Sequence, residues 1–132
     1  MKQEVHLRNV RESIEVLEEC VERGLSERQR TIGFTVSAAA ADLLEMLLHQ
    51  RGLLDQGSLL KHQWFKSKRK LEEKIPFDFP EKKMLLELIL KIEEKRNILC
   101  YGKPQKTEVL KEIIDTFNTL KQKCKEAGLD EL

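Results

Sequence analysis

Leu7, Val10, Ile14, Leu17 and Val21 recur at alternating steps of three and four, the narrow apolar seam of a helix packed in a bundle. This predicts a first helix over residues 3–23, ended by Gly24. From Ile32 to Leu48 apolar residues cover most of the circumference, so a second helix over about residues 27–50 is expected to be the central, most buried one. Ser26 with Gln29 forms a candidate capping box at its start. The alanines at 38–41 are small enough to let a neighbouring backbone approach. After a connector at 51–57, Ser58 is the expected N-cap of a third helix running to Lys74, with Leu60, Trp64, Leu71 and Ile75 on its core side. The turn at 76–80 is bracketed by Pro76 and Pro80, with Phe77 and Phe79 plugging the bundle end.

A fourth helix starts near Glu81. Counted from Leu85 at about 100° per residue, Leu88, Ile89 and Ile92 fall within about 60°, and Arg96 returns to about 20°. An arginine therefore occupies the centre of an apolar stripe. Gly102 and Pro104 stop the helix as a C′ glycine and following proline do. Thr107 is the expected cap of a fifth helix with the seam Leu110, Ile113, Phe117, Leu120 and Cys124, closed by Gly128. The pattern predicts one all-α domain over residues 1–132, a five-helix antiparallel up-and-down bundle.

Composition narrows the function. With 36% charged residues and 5% aromatics, a helix-rich chain is favoured over a sheet. Lys and Arg number 24 against 23 Asp and Glu, a net charge of +1, so any attraction to nucleic acid must be local. Cys20, Cys100 and Cys124 are odd in number and lack a CxxC pair, which disfavours a disulfide framework or a cysteine zinc site. The Met-Lys-Gln-Glu start has no apolar signal region, and the expectation is a cytoplasmic chain with reduced thiols and no membrane partner.

Three constellations could carry chemistry. A guanidinium on a core-facing stripe needs an anion, because an unpaired buried charge is costly. Arg96 could simply snorkel or pair near its helix end. Asn97 and Tyr101, at i and i+4, flank it, and Lys103 follows; together these groups suit a phosphate better than a metal. On the second helix, Asp42, Glu45 and His49 share one flank, as a solvent edge, as the counter-ion of Arg96, or as a wall of the same cleft. Their spacing is not the Glu-x-x-His of carboxylate-bridged metal bundles and no second such element is evident, so no metal and no cofactor are expected. Third, residues 61–70 interleave cations with Trp64 and Phe65, a pattern that can hold single-stranded nucleic acid, although Trp64 is expected to pack. His6 has nothing to mark it.

Arg96-Asn97, a short spacer and Tyr101, ending the penultimate helix of a small all-α chain, resemble the HEPN family. Its motif is an arginine, a short spacer often beginning with asparagine, and a histidine. The resemblance implies a bundle that homodimerises so that two motifs face one cleft. It implies either metal-independent endoribonuclease activity or a nucleotide-binding or accessory role beside a nucleotidyltransferase in a toxin–antitoxin system. Arg96 would stabilise the phosphoryl oxygens. Tyr101 stands where the family has histidine, and tyrosine, with a pKa of about 10, is a poor base at neutral pH. Arg96 and Tyr101 are thus the candidate catalytic pair, with His49 or His62 able to take the histidine's part if the fold brings one to the cleft.

Overall fold

The computed structural model describes residues 2–55 and 59–130. Its helices are α1 (Gln3–Arg23), α2 (Gln29–Gln50), α3 (Lys68–Lys74), α4 (Lys82–Tyr101) and α5 (Thr107–Glu126), with 3₁₀ segments at Leu25–Arg28 and His62–Lys66. Among the described residues there is no strand, and the all-α, five-helix bundle is the fold. α2 is its centre, packing against α1, α4 and α5. Ile32, Val36, Leu43, Leu47 and Leu48 are fully buried, each removing enough apolar surface to stabilise by about 1.5–3 kcal/mol. By length and composition alone α2 could cross a membrane, but 72% of its most apolar window is buried inside the bundle.

A tight crossing of α2 and α4 lies at Gly33, and Ala39 and Ala40 are buried one to two turns further on. A Cβ on Gly33 would meet Leu99 Cβ and Cys100 Sγ, both at 2.9 Å, whereas Ala38 is exposed. The α1 seam also differs from expectation. His6, Val10, Leu17 and Cys20 form its buried row, and Val21 is 57% exposed. Strict steps of three and four drift against a helix of about 3.6 residues per turn, which rotates Val21 off the face.

The expected third helix is broken, and Ser58, its expected cap, lies outside the described residues. Ser67 is extended, and its Oγ accepts the Lys70 N–H at 3.1 Å, starting α3 there. A serine side chain that takes a backbone donor competes with helix continuation, and the cations crowded over residues 61–70 repel one another on a continuous helix. The break turns Phe65 inward and leaves Trp64 half-buried, with Lys74 Nζ 5.5 Å from its ring centroid.

The helix starts also depart from the sequence reading. Gln29 makes no capping box. It donates to Leu99 O and Lys103 O and accepts from the Gln105 N–H at 2.7 Å, fastening the α4–α5 loop to α2. Ser26 Oγ instead meets Thr107 Oγ1 at 3.2 Å, so Thr107 opens α5 without capping it. Gly102 stops α4 in an extended conformation (φ −93°) and not in the left-handed one.

Candidate functional site

Phe34 follows Gly33, so the close crossing of α2 and α4 sets its ring beside Arg96. The Arg96 Cζ is 5.4 Å from that ring's centroid. Arg30 lies at the same 5.4 Å from Phe34 and 5.8 Å from the Tyr101 ring, and Phe34 meets Tyr101 edge-on at 5.9 Å. A guanidinium over an aromatic face gains about 0.5–2 kcal/mol without being neutralised. Among the described residues no carboxylate forms an ion pair with Arg96. Burial pushes the Cys100 thiol up, Arg96 and Arg30 pull it back, and Glu93 adds to the rise.

Arg96 and Asn97 line an open groove of about 600 Å³ with His62, Gln63, Phe65, Lys66, Glu93 and Glu94. Here the break in the third helix matters, because the 3₁₀ segment carries His62 and Lys66 to the wall opposite α4. His62 Nδ1 lies 3.0 Å from Glu93 Oε1, which also accepts from Ser37 Oγ at 2.6 Å. Glu93 is thus held from two sides and orients the imidazole. A second groove of about 580 Å³ shares Gln63 and Lys66 and is lined further by Lys61, Trp64, Lys70 and Lys74. Gln63 and Lys66 thus line both grooves.

Tyr101, 67% exposed, is not in the groove; it supports the Phe34 ring on which Arg96 rests. Lys103 is exposed and is tied in by its carbonyl, which accepts from Gln29 and Gln105. Of the sequence candidates, Arg96 and Asn97 come together, Tyr101 flanks them, and His62 joins them.

Asp42, Glu45 and His49 are elsewhere, toward the C-terminal end of α2, and answer to His6 on α1. His6 Nδ1 is 2.6 Å from Asp42 Oδ1, and its Nε2 is 2.8 Å from Glu45 Oε2. Glu45 Oε1 accepts the Leu60 N–H at 2.6 Å, and His49 Nδ1 is 2.9 Å from Leu54 O. Gly52 makes that last bond possible. In the left-handed conformation (φ +69°) it ends α2, with Leu53 N–H returning to Leu48 O and Gly52 N–H to His49 O, the two bonds of a Schellman motif. His6 is 1% and Glu45 5% exposed. Burial pushes the Asp42 carboxyl up, opposed by its hydrogen bond to His6 and by the charges of His6 and His62.

Neither Asp42 nor Glu45 is therefore the counter-ion of Arg96, and sequence reasoning passed over His6. One signal was present: His6 sits four residues before Val10 on the buried row of α1, just as Arg96 sits on the stripe of α4. No protein-family model, curated protein or solved structure matches the chain.

Proposed function

We propose that the chain is a HEPN-like RNA-binding protein that takes a backbone phosphate between Arg96, Asn97, His62 and Lys66. The observation behind this reading is that Arg96 has no carboxylate partner among the described residues and opens, with Asn97, His62 and Lys66, on one groove. The continuation past Lys66 to Lys61, Trp64, Lys70 and Lys74 favours an RNA strand over a mononucleotide. Its lysines supply further phosphate contacts, and the half-buried Trp64 can stack a base once Lys74 leaves its ring for a phosphate. A nucleotide would use the first groove alone.

The same groove supports metal-independent cleavage. His62, oriented by Glu93, accepts the proton of a 2′-hydroxyl as its oxygen attacks the adjacent phosphorus. The phosphorus–5′-oxygen bond breaks, leaving a cyclic phosphate and a 5′-hydroxyl that takes up a proton, while Arg96 and Lys66 face the charge on the phosphoryl oxygens. His62 thereby fills the part that Tyr101 performs poorly. Ile98 (39% exposed) and Tyr101 lie beside Arg96 and Asn97 on α4, an apolar edge suited to a second copy of the chain across the groove. A nucleotidyltransferase-type partner on that edge is the non-catalytic alternative.

Labelled single-stranded RNA titrated into the purified chain tests this reading. Arg96→Ala is expected to weaken binding about 10- to 100-fold, the worth of a charge-assisted hydrogen bond. His62→Ala is expected to keep most of the affinity and lose cleavage. Unchanged affinity in Arg96→Ala would remove the phosphate site, and cleavage that survives His62→Ala would remove the catalytic step alone. Sizing with and without RNA separates a homodimer from a chain awaiting a different partner.

A further inference from the structure

The His6 cluster lies outside the lining of the groove and has a chemistry of its own. Four buried side-chain atoms among the described residues lack a hydrogen-bond partner: Gln3 Oε1, His6 Nε2, Glu45 Oε2 and His49 Nε2. Three of them belong to one cluster, since ligand atoms of His6, Glu45 and His49 lie within 4.8 Å of one another. Buried polar atoms are almost always satisfied, so three orphans in one cluster require an explanation.

Their tautomers provide it. The Leu54 carbonyl can only accept, so His49 carries its proton on Nδ1. The Asp42 carboxylate 2.6 Å from His6 Nδ1 selects the same tautomer there. In the neutral rings, the forms that ligate a metal, both Nε2 atoms are then left as lone pairs. His6 Nε2 lies 2.8 Å from Glu45 Oε2, within ion-pair distance but outside hydrogen-bond geometry. The rings stack with centroids 5.8 Å apart and 28° between their planes. Two imidazole lone pairs and a carboxylate oxygen converge in a buried site that also holds the Asp42 carboxyl.

We propose that His6 Nε2, Glu45 Oε2 and His49 Nε2 bind a divalent transition-metal ion, zinc above all, that fastens α1 to α2. Two imidazoles and one carboxylate are a zinc donor set that leaves a fourth position for water or a further oxygen. The next layer of contacts has the expected form: each histidine donates its other ring nitrogen to an oxygen, Asp42 for His6 and Leu54 O for His49, and the Leu60 N–H holds the free oxygen of Glu45. Ligand atoms about 2.0–2.2 Å from a tetrahedral ion lie about 3.3–3.6 Å apart, so the side chains must shift by about 1 Å to close the cluster around it. The ion would neutralise the buried Glu45 carboxylate beside the half-buried Asp42 and join His6, near the start of α1, to the last two turns of α2. Because the site is closed by burial, its effect is on folding.

The test is a titration of chelator-treated full chain with Zn²⁺ and with Co²⁺, followed by calorimetry and by the histidine ¹⁵N resonances. One equivalent is expected to bind, to shift the His6 and His49 resonances and to raise Tm. His49→Gln, at a half-buried position, is expected to fold without metal and to lose this equivalent. Asp42→Asn, which keeps an acceptor for His6, is expected to weaken zinc binding about 10- to 100-fold. Histidine resonances that do not move on adding either ion, or a His49→Gln chain that still takes up one equivalent with wild-type affinity, would overturn the proposal.

Discussion

Arg96 and His6 are charged or chargeable residues on rows that their helices otherwise bury, and the surroundings treat them differently. Arg96 finds an aromatic face and open space, which leaves it for an external anion. His6 finds two carboxylates, and the cost falls on Asp42, whose carboxyl burial raises above its ordinary 3.8. A carboxyl with a raised folded-state pKa binds its proton more tightly folded than unfolded. Its contribution to stability is therefore present below 3.8 and lost as pH climbs through the raised value. In metal-free protein, Asp42→Asn is expected to gain stability relative to the wild type as pH rises from below that point to neutrality, measured by urea midpoints with chelator present. Zinc should reverse the sign at neutral pH, because the carboxylate then supports a ligand. A difference flat across pH would show that burying Asp42 carries no cost. Periodicity exposed Arg96 because its neighbours in sequence are apolar and regular. It could not expose the His6 cluster, whose partners lie 36 and more positions away and are set together only by the packing of α1 on α2.

At the scale of elements, the helices were legible wherever an apolar row repeats, because burial of that row decides their existence. Their junctions were not. Gln29 reads as half of a capping box, yet its side chain spans to the α4–α5 loop, and the third helix breaks because Ser67 captures a backbone donor. One tight junction depends on an absent side chain. Gly33→Ala adds helix propensity worth about 1 kcal/mol, but the new Cβ meets Leu99 Cβ and Cys100 Sγ at 2.9 Å. Overpacking of this kind costs about 1–3 kcal/mol. The β-carbon of Leu99 is fixed by its helix and cannot swing away. Gly33→Ala is therefore expected to lower stability by about 1 kcal/mol and, by moving Phe34 away from Arg96, to weaken RNA binding as well. Thermal denaturation and the same RNA titration check both effects, and a stabilised variant would mean that α2 and α4 separate at no cost.

For the whole molecule, charge decides how far the proposed RNA contact reaches. A net charge of +1 supplies no long-range pull, so phosphate affinity must come from cations gathered in one place. Arg96 and Lys66 line the first groove, and Lys61, Lys70 and Lys74 join Lys66 in the second. Five cations engaged on a single strand, at about 0.7 per phosphate neutralised, give a slope of log affinity against log salt of about −3.5. If the strand were held only in the first groove, with Arg96 and Lys66, the slope would be about −1.4. Arg96→Ala should flatten the slope by a single cation's share, because the remaining lysines stay in place. Lys70→Ala should do the same if the strand passes Trp64, and should leave the slope unchanged if the ligand stops at Lys66. Affinities measured across a salt series for these two variants therefore read out the length of the bound strand. A slope near −1.4 in the wild type, untouched by Lys70→Ala, would reduce the ligand from an RNA strand to a single phosphate group.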